Sequence, residues 1–126
     1  MVEAHPPRVL LIDDDPNLRE IVSALLAAFG YDFQGAADGQ SGLALFDAGE
    51  WDLVLVDLAR PAVSAWEVVE TIRHRAPTTP LVLLLGLSDP VVLRRARECR
   101  VRVLVKPFQL QTLKATLVEA LYAQIG

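Results

Sequence analysis

LVLVDLARP, residues 53–61, carries four apolar residues straight into a carboxylate, Asp57, with Pro61 four positions beyond it. A continuous apolar run of this kind reads as a strand buried on both faces, and such strands belong to parallel sheets covered by helices. The charge at its carboxyl end then sits at the rim of the sheet. An isolated aspartate at a strand end carries no functional meaning. Its neighbours decide what it does.

The neighbours are found by working outward. VLLI (9–12) is a second apolar run, and it ends on Asp13, Asp14 and Asp15. Asp15 can cap the free N–H groups of a helix whose first position is Pro16. Leu18, Ile21, Val22, Leu25, Leu26 and Phe29 then repeat at helical spacing, and Gly30 marks the stop. YDFQ (31–34) alternates as a half-exposed strand does, AADGQ (36–40) reads as a turn, and Leu43 to Phe46 predict a short second helix. After the strand at 52–57, a third helix over 65–75 presents Trp66, Val68, Val69 and Ile72. PLVLLL (80–85) is a strand, 90–99 a helix, VRVLV (101–105) a strand and 109–124 a final helix. Strands alternating with helices, joined by right-handed crossovers, predict an α/β fold: a doubly wound, five-stranded parallel sheet with helices on both faces.

The 126 residues suit a single domain, 1–126, with its core at about 8–124. Hydrophobic residues make up 52 % and charged residues 22 %, enough for a sizeable core. A net charge of −4 gives no general attraction to nucleic acid or to a membrane surface. One cysteine, Cys99, excludes an internal disulfide and fits a reducing, cytoplasmic setting. MVEAHPPR lacks the apolar core of a signal peptide, and no apolar run approaches a membrane span.

Three strands thus end on charge: Asp13 and Asp14 after the first, Asp57 on the third, Lys106 after the fifth. With strand order 2-1-3-4-5, the first and third strands are neighbours where the order reverses, which is where such sheets place their sites. Clustered carboxylates repel and need a cation or a proton between them. Three carboxylates, one Mg²⁺ and one Lys⁺ sum to zero formal charge. Such a site suits phosphoryl chemistry, with metal and ammonium neutralising developing charge and an in-line carboxylate as nucleophile.

At VLLIDDDPNLR, AADGQSGLALF, WDLVLVDLARP and VLVKPF the chain resembles the receiver domains of two-component response regulators, over roughly residues 8–124. The resemblance implies a (βα)5, flavodoxin-like fold and a phosphoacceptor rather than an independent enzyme. It implies that Asp57 accepts a phosphoryl group from a histidine kinase or a phosphotransfer protein. Asp14 would bind Mg²⁺ or Mn²⁺ directly, together with Asp57 and the Ala59 carbonyl, and Asp13 through water. Lys106 would pair with the acceptor and then with the phosphoryl group, and Pro107 would be cis. A dehalogenase-like phosphatase, the rival with an aspartate nucleophile, needs a second aspartate two residues on, where this chain has Ala59.

The departures concern signalling. Where many receivers carry Thr or Ser at the end of the fourth strand, this chain has Leu85, followed by Gly86, with Ser88 three residues too late. Where they carry Tyr or Phe before the lysine, it has Val103. In the family this pair relays phosphorylation. The loop after Asp57 has Ala62, Ser64 and Ala65 in place of the common Gly, Asp and Gly. The expectation is an intact acceptor pocket with atypical output. The alternative is a receiver-like interaction module independent of phosphorylation. Residues 94–106 hold Arg94, Arg95, Arg97, Arg100, Arg102 and Lys106 against one acid, Glu98, a basic face suited to an acidic output partner. One receiver subfamily dimerises on this face using acids on the fifth strand. Arg102 stands at such a position here, and disfavours that dimer.

Overall fold

Strands and helices alternate along the chain, described at residues 5–57, 62–86 and 90–122 of a computed structural model. They are β1 (Arg8–Asp13), α1 (Pro16–Ala28), β2 (Asp32–Ala36), α2 (Gly39–Ala48), β3 (Leu53–Asp57), α3 (Ala62–Arg75), β4 (Leu81–Leu85), α4 (Pro90–Glu98), β5 (Arg102–Val105) and α5 (Leu110–Tyr122). All strand pairs are parallel, in the order β2-β1-β3-β4-β5. The expected fold class and strand order are both present, and β1 and β3 are adjacent.

The alternation of side chains along each strand splits the core in two. Val9, Leu11, Leu53, Leu55, Val82, Leu84 and Leu104 face α1 and α5, where they meet Val22, Leu26, Leu113 and Leu117. Leu10, Ile12, Val54, Val56, Leu81 and Leu83 face the other way, against α3 (Val68, Val69, Ile72), Ala96 of α4 and the partly buried Leu43 and Phe46 of α2. Each fully buried Val, Leu or Ile among them contributes about 1.5–3 kcal/mol by leaving water. The central strands are therefore committed to this register, because a one-residue slip would exchange the two faces.

The boundaries differ from the sequence reading in instructive places. β1 continues through Asp13, so this carboxylate belongs to the strand and is carried into the protein. β2 covers Asp32–Ala36 and does not alternate: four residues are exposed and only Ala36 is buried. It is an edge strand that the helices barely cover. α2 begins at Gly39, inside the expected turn, because the Asp38 side chain caps it by accepting from the Ser41 N–H at 2.7 Å. α3 starts at Ala62, three residues early. Ser88, Ala59 and residues 123 and 124 of the expected last helix lie outside the described residues.

α2 lies very close to β1. A Cβ on Gly42 would fall 2.5, 2.6 and 3.0 Å from Cδ1, Cγ1 and Cγ2 of Ile12, closer than carbon atoms can pack. Only glycine lets the helix settle at this depth.

Two helices end in the same way. At α1, Gly30 N–H donates to Ala27 and Tyr31 N–H to Leu26; at α4, Arg100 N–H donates to Arg97 and Val101 N–H to Ala96. Both ends need a residue of positive φ. Gly30 supplies it at 87° and Arg100 at 59°. Glycine takes this conformation freely, whereas a residue with a Cβ gives up about 1–2 kcal/mol.

Arg73 ties this end of the molecule together. Its Nε donates to the Cys99 carbonyl (2.9 Å), its Nη2 to Arg100 (3.1 Å), and its Nη1 to Pro77 (2.9 Å) and Thr79 (2.8 Å). Burial pulls its pKa down from the usual guanidinium value, and the Arg100 charge adds to this. Further along the same helices, Arg95 of α4 pairs with Glu70 of α3 and lies 4.6 Å from the Trp66 ring centre.

Candidate phosphoacceptor site

Asp13 and Asp57 are register partners at the carboxyl ends of β1 and β3. They are also the only buried polar or charged residues among those described, at 0 % and 2 % exposure. The apolar strands leading into them leave no choice: a strand buried on both faces carries its last residue inside. Asp14 continues the chain just beyond the sheet, half-buried, and its N–H donates to the Asp57 carbonyl at 3.3 Å. Asp15 turns outward and caps α1, accepting from Asn17 N–H (2.9 Å) and Leu18 N–H (3.3 Å), with Pro16 first in the helix.

Lys106 arrives from the end of β5. Its Nζ donates to both Asp57 oxygens, at 2.9 and 3.1 Å. Its backbone N–H donates to the Leu85 carbonyl at 2.7 Å, which fixes where the side chain starts. The Lys106–Pro107 peptide is cis, as the resemblance implied. Burial pushes the Asp57 pKa up from the ordinary carboxylate value, and the Lys106 ammonium pulls the other way.

Asp13 has no such cation. Its Oδ1 accepts from the Asp15 N–H at 2.9 Å, while its Oδ2 is buried without a hydrogen-bond partner. Burial raises its pKa from 3.8 to about 6; the Asp15 N–H opposes that rise and the Asp57 charge adds to it. An orphaned, buried carboxylate oxygen beside a second carboxylate is a place for a hard cation. The described residues hold no three-ligand cluster of His, Cys, Asp or Glu already gathered for a metal. Mg²⁺ does not require one, because it keeps several waters and takes one or two carboxylates. The donor set fits.

Asp13, Asp14, Asp57 and Lys106 are thus brought together as expected, and Ala59 lies outside the described residues. Arg19 was not anticipated as part of the site. Its Nη1 donates to the Asp13 carbonyl at 2.8 Å, reaching back from the first turns of α1. Its place in DDDPNLR, six residues after Asp13, is the only sequence signal for that contact. Leu85 and Val103 are both half-buried and pack on the core face shared by α2, α3 and α4.

Half of the expected basic face is paired within the chain. Arg95 pairs with Glu70, Arg102 reaches Glu119 of α5 at 3.5 Å, and Lys106 is held by Asp57. Among the described residues, Arg94 and Arg97 remain on α4 as cations without such a pair.

A sequence model of the response regulator receiver domain matches residues 9–118. The DNA-binding dual master transcriptional regulator RpaA of Synechocystis is 40 % identical over 85 residues, covering 66 % of this chain and 35 % of that protein. The transcriptional regulatory protein TrcR of Mycobacterium tuberculosis is 34 % identical over 117 residues, covering 91 % of this chain and 45 % of that protein. The chain therefore spans less than half the length of these two relatives. The crystal structure of the Vibrio cholerae chemotaxis protein CheY4 is similar with a TM-score of 0.85 at 30 % identity, over 92 % of this chain and 99 % of that one. No helix among the described residues is long and apolar enough to cross a membrane.

Proposed function

Because this chain belongs to the family of response regulator receiver domains, we propose that it is the phosphoacceptor of a two-component system, with Asp57 as the acceptor. The observation that carries this reading is the Lys106 ammonium spanning both Asp57 oxygens beside the orphaned Asp13 oxygen. An Asp57 oxygen attacks the phosphorus as the donor imidazole of a histidine kinase or phosphotransfer protein leaves, and Lys106 moves from the carboxylate to the phosphoryl oxygens. Mg²⁺ or Mn²⁺, held by Asp14, Asp57 and the Ala59 carbonyl with Asp13 behind them, would supply further positive charge for those oxygens. Residues 8–124 act as one cytoplasmic signalling domain. It is not an independent enzyme, and it contacts neither nucleic acid nor membrane directly.

Intact mass after treatment with acetyl phosphate and Mg²⁺ is the test. The protein is expected to gain one phosphoryl group, and Asp57→Asn none. A wild-type protein that gains nothing would favour the rival, an interaction module that works without phosphorylation. The aliphatic pair Leu85 and Val103 is what keeps that rival in view.

The same pair sets a second expectation. A hydroxyl bonded to the phosphoryl group would contribute about 1.5–3 kcal/mol. Its absence weakens any two-state bias by roughly 10- to 150-fold. Beryllofluoride, which mimics the phosphoryl group, should therefore shift amide NMR signals near 13–15, 57 and 106 and leave 90–103 nearly unmoved. Broad shifts through 90–103 would reveal a relay that does not need Leu85 to be a hydroxyl.

A further inference from the structure

At the end of the sheet opposite Asp57, a cavity of about 530 Å³ lies between the α3–β4 turn, the start of β5 and the end of α5. Three guanidinium-bearing residues line it, Arg73, Arg100 and Arg102, and among the described residues no carboxylate does. Pro80, Leu81 and Leu121 give it apolar walls. Its volume falls within the range of small-molecule sites, roughly 300–1,000 Å³.

The described residues do not balance the charge there. Arg73 spends its donors on neutral backbone carbonyls, which hold the group in place and leave its charge uncancelled. Arg102 reaches only an exposed Glu119 at 3.5 Å, a screened contact of small value. Among the described residues, Arg100 has no side-chain hydrogen bond or ion pair. Arg100 also occupies the positive-φ position that ends α4, the place where the identical cap of α1 uses Gly30. The chain thus keeps a cation at a position where glycine would be unstrained. That cation borders a pocket with two others.

We propose that this cavity binds a small organic anion: a carboxylate, sulfonate or phosphate head on a compact apolar body. The head lies at Arg100 and Arg102, and the body against Pro80, Leu81 and Leu121. Arg73 is a positioning residue that holds the turn and the end of α4 as the two sides of the pocket. The site is independent of the phosphoacceptor reading, since it involves none of those residues.

Naphthalene-1-sulfonate is the probe, followed by amide NMR of the full chain. It should give saturable shifts at 78–81, 100–102 and 120–121. Inorganic sulfate and naphthalene-1-methanol, each with half of the recognition, should bind about tenfold or more weakly. Arg100→Gly should lose at least about tenfold in affinity while its thermal midpoint stays level or rises, because the backbone strain is removed. Arg102→Gln should weaken binding independently, and covers the case in which the first variant misbehaves. Absence of saturable shifts, equal binding of the neutral alcohol, or undiminished binding by both variants would each overturn the proposal.

Discussion

Asp13→Asn is expected to stabilise the metal-free protein by about 2–3 kcal/mol above pH 6. The wild-type carboxylate is fully buried, one oxygen has no partner, and Asp57 is its register neighbour. Asparagine keeps the oxygen that accepts from Asp15 and removes the buried charge. The sign follows from the folded pKa of about 6, above the ordinary 3.8. The wild-type fold holds this proton more tightly than the unfolded chain does. Stability from this group is fully present below about pH 4 and is lost as pH rises through 6. In the presence of a chelator, the variant's advantage should be large at about pH 8 and close to nothing at about pH 4. Urea midpoints at the two pH values measure it. Added Mg²⁺ should raise the wild-type midpoint more than the variant's. A variant no more stable than wild type at the higher pH would mean that the Asp13 charge is already compensated.

Much of this site was legible because its parts are local in sequence. Asp13, Asp57 and Lys106 each follow an apolar run, so reading the strands located the charges. The parallel order then brought them together. Asp15 and Pro16 announce α1 by chemistry confined to adjacent residues. Side chains that act across elements were not legible. Arg19 reaches back to Asp13, Arg95 crosses from α4 to α3, and Arg73 binds carbonyls up to 27 residues away. A run of arginines looks like a solvated basic face until the fold shows which acids and carbonyls stand opposite. The edge position of β2 was hidden for a related reason. Alternation reports two faces of different environment, and a strand scarcely covered has almost none to report.

The second large effect concerns Arg73→Ala, expected to cost about 3 kcal/mol and to lower the thermal midpoint by roughly 10 °C. Charge-assisted hydrogen bonds are worth about 1.5–3 kcal/mol each, and partial exposure of this set discounts the sum. The loss should not be repaired by lysine. A single ammonium cannot span the carbonyls of the α3–β4 turn and the end of α4 at once, whereas the planar guanidinium does. Denaturant midpoints of Arg73→Ala and Arg73→Lys, with amide exchange at residues 76–81 and 99–101, measure the effect. Full recovery by lysine would assign the role to charge alone.

The fit of Gly42 over Ile12 couples positions 42 and 12. Neither can drift alone: a methyl at 42 demands a smaller residue at 12, and a smaller residue at 12 leaves a void under α2. Ile12 is also the residue immediately before Asp13, so any backbone adjustment that admits a larger helix residue is delivered to a buried carboxylate one peptide away. A substitution at one of these positions is therefore expected to need a matching one at the other, or to disturb the acid cluster. A designer grafting the acceptor pocket into another sheet would have to carry the glycine along with the aspartates.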